Sequence, residues 1–264
     1  MVDGTHGVDD RLGTGEARIK RNIRIVVEYD GTYYHGWQRQ SDKPTIQQIL
    51  EESICTITRE TVRVIGSGRT DAGVHAMNQV ANFVTHTAIN EENLLKGINS
   101  FLPKDIVIKE LAEVSESFHS QYDVKSKVYL YQIYNGPVRP SLYRNYAWYI
   151  HGLLDIQTMQ SAASLFLGTH DFSSFCAADC NLINHVRTIT DIDITQNSRG
   201  MLRIVIEANG FLRHMVRNIV GTLVYVGKGK FSPSDVNHII EVKDRRQAGI
   251  TAPAHGLFLK EVKY

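Results

Sequence analysis

Residues 66–75 form a glycine-rich loop that could carry acid–base or nucleophilic chemistry. The segment reads Gly-Ser-Gly-Arg-Thr-Asp-Ala-Gly-Val-His, and its three glycines allow tight turns and close approach of a ligand to the backbone. The carboxylate of Asp71 could act there as a nucleophile or as a base, and Arg69 could hold it ionised and contact a phosphate. The structural alternative is an Asx-type turn at Asp71 with Arg69 in a surface ion pair. The loop lacks the spacing and the lysine of a P-loop, so nucleoside triphosphate binding is rejected.

The loop lies between two predicted strands, within a regular order of strands and helices. In the first half, periodicity and turn signals predict strands 23–29, 61–65, 79–85 and 106–114, and helices that begin at Thr45 and Asn90. In the second half they predict strands 127–134, 186–195, 201–208 and 257–262, and helices that begin at Asp155, at about Leu212 and at Ser232. The first half therefore follows the order βαββαβ, and the second half follows the same order with one additional short helix before its last strand.

This element order is that of ferredoxin-like units, in which a third strand splits a βαβ pair. We therefore expect an α/β (α+β) fold of two ferredoxin-like subdomains, residues 21–115 and 116–264, whose sheets join around a central active-site cleft. Residues 1–20 are rich in Gly, Asp and Thr without periodicity, which predicts a flexible N-terminal extension.

The composition is that of a globular protein with unevenly distributed charge. The chain has 264 residues, of which 42% are hydrophobic and 22% charged, which excludes disordered and fibrous classes. The net charge of +1 neither supports nor excludes nucleic-acid binding, because binding depends on where the charges lie. Basic residues do cluster, as in 18–24, 213–217, 228–230 and 243–246. This pattern suits a protein with one basic face, although solvated surface charge is the simpler explanation of each cluster.

Neither a metal site nor a membrane segment is indicated. Cys176, Cys180 and His185 could be read as zinc ligands, but they lack a second ligand pair, so we expect no metal. Cys55 falls in a helical apolar pattern and is predicted to lie in the core. No apolar run reaches the ~18 residues of a membrane span, and the N-terminus has no apolar signal region. We therefore expect a cytoplasmic protein without membrane contact.

The loop resembles the catalytic loop of the TruA-type tRNA pseudouridine synthases, whose pattern is Gly-x-Gly-Arg-Thr-Asp-x-Gly-Val-His. Every fixed position of that pattern is present. Further segments resemble the family's blocks in the family's order: 29–31 with 36–38, 127–131, 170–175, 209–221 and 252–257. The family commonly has Phe-x-Ala-Arg where this chain has Phe118-His119-Ser120-Gln121, which puts one local RNA or packing contact in doubt.

The resemblance implies an enzyme that isomerises uridine to pseudouridine in tRNA without a cofactor. It implies that Asp71 is the catalytic carboxylate and that Tyr129 packs on the flipped base. It further implies that Arg69 takes the vacated place of the base and pairs with the aspartate, and that Leu257 lines the uracil pocket. From the residues alone, Tyr129 is an ordinary alternating strand residue and Leu257 ordinary core.

RNA contacts are expected along the long second-half helix, where Arg213, His214 and Arg217 share a broad face. Such side chains suit backbone phosphates, which dominate affinity for nucleic acid. The resemblance adds weaker RNA contacts at Met77, Asn78 and Gln79. His75 is expected to pin the loop by a hydrogen bond.

The resemblance also implies a homodimer and, as targets, positions 38, 39 and 40 in the anticodon stem-loop of tRNA. Three alternatives stay open: a pseudouridine synthase for another tRNA or RNA site, a non-catalytic RNA-binding module, and an Asp-dependent hydrolase. The second lacks the signature of an RRM. The third needs a second carboxylate, for which Asp171 and Asp179 are available.

Overall fold

A computed structural model describes residues 19–178 and 183–264. Its strands are β1 (Arg21–Tyr29), β2 (Ile65–Gly66), β3 (His75–Thr85), β4 (Ile106–Val114), β5 (Ser126–Asn135), β6 (Trp148–Ile150), β7 (Gly168–Asp171), β8 (Val186–Gln196), β9 (Met201–Ala208) and β10 (Leu257–Lys263). Its α-helices are α1 (Ile46–Thr58), α2 (Glu91–Phe101), α3 (Ile156–Ala163), α4 (Met215–Gly227) and α5 (Pro233–Val242). The predicted extension 1–20 falls almost wholly outside the described residues.

The strands form one mixed ten-stranded sheet in the order β4-β1-β3-β10-β5-β9-β8-β7, with β2 paired to β3 and β6 to β5. In each half, neighbouring main strands are antiparallel, and the strands that flank the first helix are separated by a third strand. This is the split βαβ arrangement predicted from the element order. The predicted fold class is therefore confirmed, whereas the exact subdomain limits remain a prediction.

The two halves join through β3 and β10, which pair in parallel over a short stretch. Phe258 lies opposite His75, and Leu259 lies opposite Ala76. Further along, β3 exchanges this partner for β2, where Ala81 lies opposite Gly66. The loop that connects β2 to β3 therefore emerges at the point where the two halves of the sheet meet.

Local sequence signals explain where most helices begin. The side chains of Asn90 and Asp155 accept hydrogen bonds from backbone N–H groups of the first turns of α2 and α3. Ser232 and Asp235 form a reciprocal capping box at the start of α5. Thr45 occupies the N-cap position of α1, but its hydroxyl makes no cap hydrogen bond.

Helix α4 is apolar around almost its whole circumference and is buried accordingly. It begins at Met215 rather than at about Leu212, because His214 adopts a left-handed conformation with φ of 62° that ends any helical turn before it. The buried body of α4 fixes the position of its first turn, which points toward the β2–β3 loop.

Three predictions about elements and one about burial need correction. In place of the strand predicted at 61–65, the structure has only the two-residue strand β2. The strand predicted at 79–85 begins earlier, at His75. Strands β6 and β7 were not predicted. Cys55 is exposed rather than in the core, because it lies beside the buried stripe of Ile46, Leu50 and Ile54 on α1.

The described part of the chain holds no group of three or more His, Cys, Asp or Glu side chains placed to bind a metal. Cys180 and Asp179, two residues considered in the sequence analysis, lie outside the described residues. Within residues 19–178 and 183–264, no helix has the length and apolar character needed to cross a membrane.

Candidate active site

One side of the β2–β3 loop is bonded to β3 and β5. The Ser67 hydroxyl donates to Gln79 Oε1 at 2.6 Å, and Gln79 Nε2 donates to the carbonyl oxygen of Gly68 at 2.9 Å. Lys127 Nζ, from β5, donates to the carbonyl oxygen of Ser67 at 2.7 Å. Because Gln79 is completely buried, these bonds form in a shielded environment, where losing one is costly.

The other side of the loop is held by the segment that follows β1. The hydroxyls of Tyr29 and Thr70 are hydrogen-bonded at 2.8 Å, and the Trp37 N–H donates to the Thr70 carbonyl at 3.1 Å. Gly36 has φ of +86°, and a Cβ there would lie 2.5 Å from the Thr70 carbonyl oxygen. The glycine is therefore required both by its backbone conformation and by the close approach of the loop.

His75, the first residue of β3, fixes the C-terminal end of the loop. Burial lowers the pKa of His75, which favours the neutral imidazole. In that form Nδ1 accepts from the Gly31 N–H at 3.0 Å, and Nε2 donates to the Asn145 carbonyl at 2.9 Å. Asp30 Oδ1 lies 3.1 Å from Nδ1 of the ring. Asp30 Oδ2 accepts a hydrogen bond from the Tyr146 hydroxyl at 2.6 Å. The contacts of His75 are those of a residue that pins the loop, as expected.

The carboxylate of Asp71 faces the first turn of α4. Arg217 Nη1 lies 3.1 Å from Asp71 Oδ2, and His214 Nε2 lies 3.4 Å from the same oxygen. Arg217 is held in turn by Nε, which donates to the Ala252 carbonyl at 2.7 Å. The Asp71 side chain remains 30% exposed, against 15% for Arg217. The carboxylate is thus oriented by a partly buried cation and remains open to a ligand.

An apolar surface lies beside this carboxylate. Tyr129 is buried on β5, and its ring meets Phe211 edge-on with centroids 4.9 Å apart. Burial, followed by the electrostatic influence of the Tyr29 and Asp71 side chains, raises the pKa of Tyr129 above its usual range, so its phenol stays neutral. Leu257, at the start of β10 and opposite Tyr131 of β5, lines the same cleft. A flat aromatic base would find a stacking surface here.

Asp71, Tyr129, Leu257 and Arg69 all line one cleft of about 1050 Å³. Asp71 is the sole Asp or Glu among the described residues that line it. Five basic side chains line the same cleft: Arg63, Arg69, Lys127, Arg213 and Arg217. A chain with a net charge of only +1 therefore concentrates positive charge around a single carboxylate.

Arg69 and Arg217 differ in their contact with Asp71. Arg69 is exposed on the cleft wall, and within the described residues it forms no ion pair with Asp71. Arg217, expected to contact phosphate, is instead the cation bonded to that carboxylate. Arg213 is exposed at the cleft, where phosphate contact remains a prediction.

Met77, Asn78 and Gln79, for which RNA contact remains a prediction, do not line the cleft. Gln79 is completely buried and is bonded to the loop, so its place is behind the cleft wall. Asn78 donates to the Lys260 carbonyl and accepts from Lys109, and neither it nor Met77 lines the cleft. Gln121 lines the cleft at the position where the family pattern has arginine.

The contact of Lys127 with the loop was not predicted from the sequence. A signal was present, because Lys127 lies two residues before Tyr129 and alternate residues of a strand share one face. The pairing of Arg217 with Asp71 was not predicted either, and no local signal for it exists.

Comparison with known proteins shows the family to which the chain belongs. The model of the family described as tRNA pseudouridine synthase matches residues 25–123 and 162–264. This chain belongs to that family. The tRNA pseudouridine synthase A of Thermoanaerobacter sp. (strain X514) is 49% identical over 244 residues, which cover 92% of this chain and 100% of the relative.

Other members of the family are similarly close. The tRNA pseudouridine synthase A of Acetivibrio thermocellus is 46% identical with the same coverage, and the tRNA pseudouridine synthase A 2 of Clostridium tetani is 47% identical over 93% of this chain and 100% of its own. A solved archaeal box H/ACA sRNP Nop10–Cbf5 complex matches 76% of this chain and 44% of its own at 12% identity, with a TM-score of 0.35, too low to support an argument.

Proposed function

We propose that this protein isomerises uridine to pseudouridine in the anticodon stem-loop of tRNA, at the family's positions 38, 39 and 40. The observation that carries the proposal is the carboxylate of Asp71, which is bonded to Arg217 and is the sole Asp or Glu side chain among the described residues that line the cleft. Family membership supplies the reaction, and the cleft offers a group suited to each part of it.

The reaction needs one carboxylate and a surface that holds the detached base. The bond between ribose C1′ and N1 of uracil breaks, the base rotates, and C5 bonds to C1′. The hydrogen on C5 is lost and N1 gains one, so the product is an isomer of the substrate. Asp71 acts at this step either as the nucleophile or as the base. No electron or group passes to a second reactant, and therefore no cofactor is called for by the chemistry.

The apolar surface of the cleft suits the flipped base. Stacking of uracil on Tyr129 would contribute about 1–3 kcal/mol, enough to offset the few kcal/mol that unstacking the base costs. Leu257 would contact the uracil ring from the side. We assign to Arg69, which is exposed on the cleft wall, the role that the resemblance implies, which is to occupy the position that the base leaves in the RNA.

A glycosidase-like hydrolase is a poorer match to this cleft. Hydrolysis of a glycosidic bond commonly uses two carboxylates on either side of the bond. Asp71 has no such partner among the described cleft residues, and Asp171 is engaged by Lys243 at 2.9 Å and by Ser173. The isomerase, which needs one carboxylate, fits better.

The substrate assignment can be tested with unmodified tRNA transcripts. Each transcript is incubated with the protein in the absence of added metal or nucleotide, and pseudouridine is mapped at single-nucleotide resolution. We expect conversion confined to positions 38, 39 and 40. Conversion elsewhere in tRNA or in another RNA would identify a different target site. Tight RNA binding without conversion of any uridine would favour a non-catalytic RNA-binding module and overturn the proposal.

We further infer a cytoplasmic homodimer built from subdomains of residues 21–115 and 116–264. A dimer would let one tRNA contact both subunits, as the resemblance to the family implies. Light scattering at working concentration should give twice the mass of the chain, and a monomer would contradict the inference. Limited proteolysis that cuts first near residue 115 would support the subdomain limits.

A further inference from the structure

Lys127 presents an ammonium group to the same cleft as Asp71 and Tyr129. It lies on β5, paired across the strands with Ala208 and Val262. Tyr129 follows two residues later on the same face, so the two side chains are about 6.6 Å apart along the strand. A nucleotide with its base on Tyr129 could therefore place its backbone close to Lys127.

The ammonium of Lys127 is poorly compensated within the described residues. No carboxylate there forms an ion pair with it, and its ammonium group donates a hydrogen bond to the Ser67 carbonyl oxygen. Burial accordingly lowers the pKa of Lys127 to about 8. An ammonium has three N–H donors, and burying its charge without an anion is unfavourable. The site is therefore suited to a ligand that brings negative charge.

We propose that Lys127 binds a backbone phosphate of the RNA next to the target uridine, and that its bond to Ser67 links this contact to the loop that carries Asp71. The inference rests on the proposed function, because it takes RNA as the ligand. A phosphate is favoured over a uracil carbonyl because only the phosphate supplies a full negative charge. The Ser67 carbonyl lies four residues before Asp71, so one ammonium would contact both the RNA and the catalytic loop.

The proposal predicts a pH dependence of RNA binding with a definite sign. Free protein loses the Lys127 proton as pH rises through about 8, whereas a bound phosphate would keep it protonated. Affinity should therefore fall above pH 8. The other titratable groups that line the cleft are Asp71, Tyr129, His35, His214 and the arginines. Their contributions cancel when wild type is compared with a variant changed only at Lys127.

The experiment measures the dissociation constant of an anticodon stem-loop RNA as a function of salt and pH. The variants are Lys127→Met, which removes the charge, Lys127→Arg, which keeps it, and Lys260→Met, a control at an exposed lysine outside the cleft. All are made in an Asp71→Asn background, so that turnover does not alter the RNA.

We expect Lys127→Met to weaken binding roughly tenfold and to reduce the slope of log K against log salt by about 0.7–0.9, the contribution of one phosphate contact. Its affinity for the RNA should also no longer fall above pH 8. Lys127→Arg and Lys260→Met should keep the wild-type salt slope, and Lys127→Arg should bind equally well from pH 7 to 9.

A slope for Lys127→Met equal to that of Lys260→Met would overturn the phosphate contact and leave only support of the loop. If Lys127→Met fails to fold, the proposal is tested instead by the pH dependence of RNA affinity in the wild-type protein and in Lys127→Arg. Wild-type affinity that stays flat from pH 7 to 9 would then contradict the proposal. Failure of the proposed function is recognised separately, as the absence of pseudouridine with wild type.

Discussion

Arg217 Nη1 lies 3.1 Å from Asp71 Oδ2, although 146 residues separate the two in the chain. Arg217 projects from the first turn of the buried helix α4, whereas Asp71 lies on the β2–β3 loop of the other half. The orientation of the carboxylate consequently depends on how the two halves are joined.

Replacing Arg217 should damage the chemical step more than RNA binding. Arg217→Met leaves the carboxylate of Asp71 without its bonded cation, and we expect the single-turnover rate to fall about 10²- to 10³-fold. Arg213→Met, at an exposed position of the same cleft, should mainly raise the dissociation constant. Rapid-quench measurements with saturating enzyme separate the two effects. An Arg217→Met rate equal to that of Arg213→Met would show that the pairing is dispensable.

Gln79 should be required for the loop rather than for RNA. Gln79→Leu keeps the volume but leaves the Ser67 hydroxyl and the Gly68 carbonyl without their partner in a buried site. We expect a loss of about 1–3 kcal/mol in the free energy of unfolding, measured by urea denaturation. Gln157→Leu, at an exposed position of α3, should change it by less than about 0.5 kcal/mol. Equal stabilities would contradict the role assigned to Gln79.

Gly36 should tolerate no side chain, and Gly229 provides a matched control. Both have positive φ, +86° and +67°, but a Cβ at Gly36 would lie 2.5 Å from the Thr70 carbonyl, whereas none of the neighbouring atoms lies within 4 Å at Gly229. Gly229→Ala should therefore cost only the backbone term of about 1–2 kcal/mol. Gly36→Ala should cost more and also lower activity, since it displaces the loop. Denaturation and turnover assays on both variants check this, and full activity in Gly36→Ala would be inconsistent with it.

Burial of His75 should make the protein less stable in acid. Because the pKa of His75 is lower in the folded state, the unfolded chain binds more protons as pH falls through about 6.5, so stability is lost below that pH. His75→Gln removes this contribution. Urea denaturation of both proteins from pH 5 to 7.5 should show a steeper loss for wild type. Parallel curves would mean that His75 titrates normally in the fold.

Much of the fold could be predicted because its signals are local. The buried β-branched residues Ile23, Ile25 and Val27 of β1, and the helix caps at Asn90, Asp155 and Ser232, can each be recognised from a short stretch of sequence. The short strands β6 and β7 have too few residues to show a period, and their pairing depends on distant neighbours.

The site was predictable only in part, for the same reason. The loop and Tyr129 were found through a contiguous motif, and the structure brings both to one cleft. The pairing of Asp71 with Arg217 and the burial of Gln79 and Lys127 depend on contacts across the sheet, which spacing along the chain does not reveal. Arg69 is exposed, whereas Arg217 is partly buried and pairs with Asp71, and the sequence alone does not distinguish two arginines in this way.

The central claim is that Asp71 is the carboxylate that performs the reaction. Its most direct test is the single-turnover rate of pseudouridine formation in anticodon stem-loop RNA, with saturating Asp71→Asn protein and with Glu261→Gln, an exposed control on β10. We predict that Asp71→Asn binds the RNA within a few fold of wild type while its rate falls by at least about 10⁴-fold. The Glu261→Gln control should match wild type. If Asp71→Asn formed pseudouridine at a rate near that of the control, Asp71 would not be the carboxylate that performs the reaction.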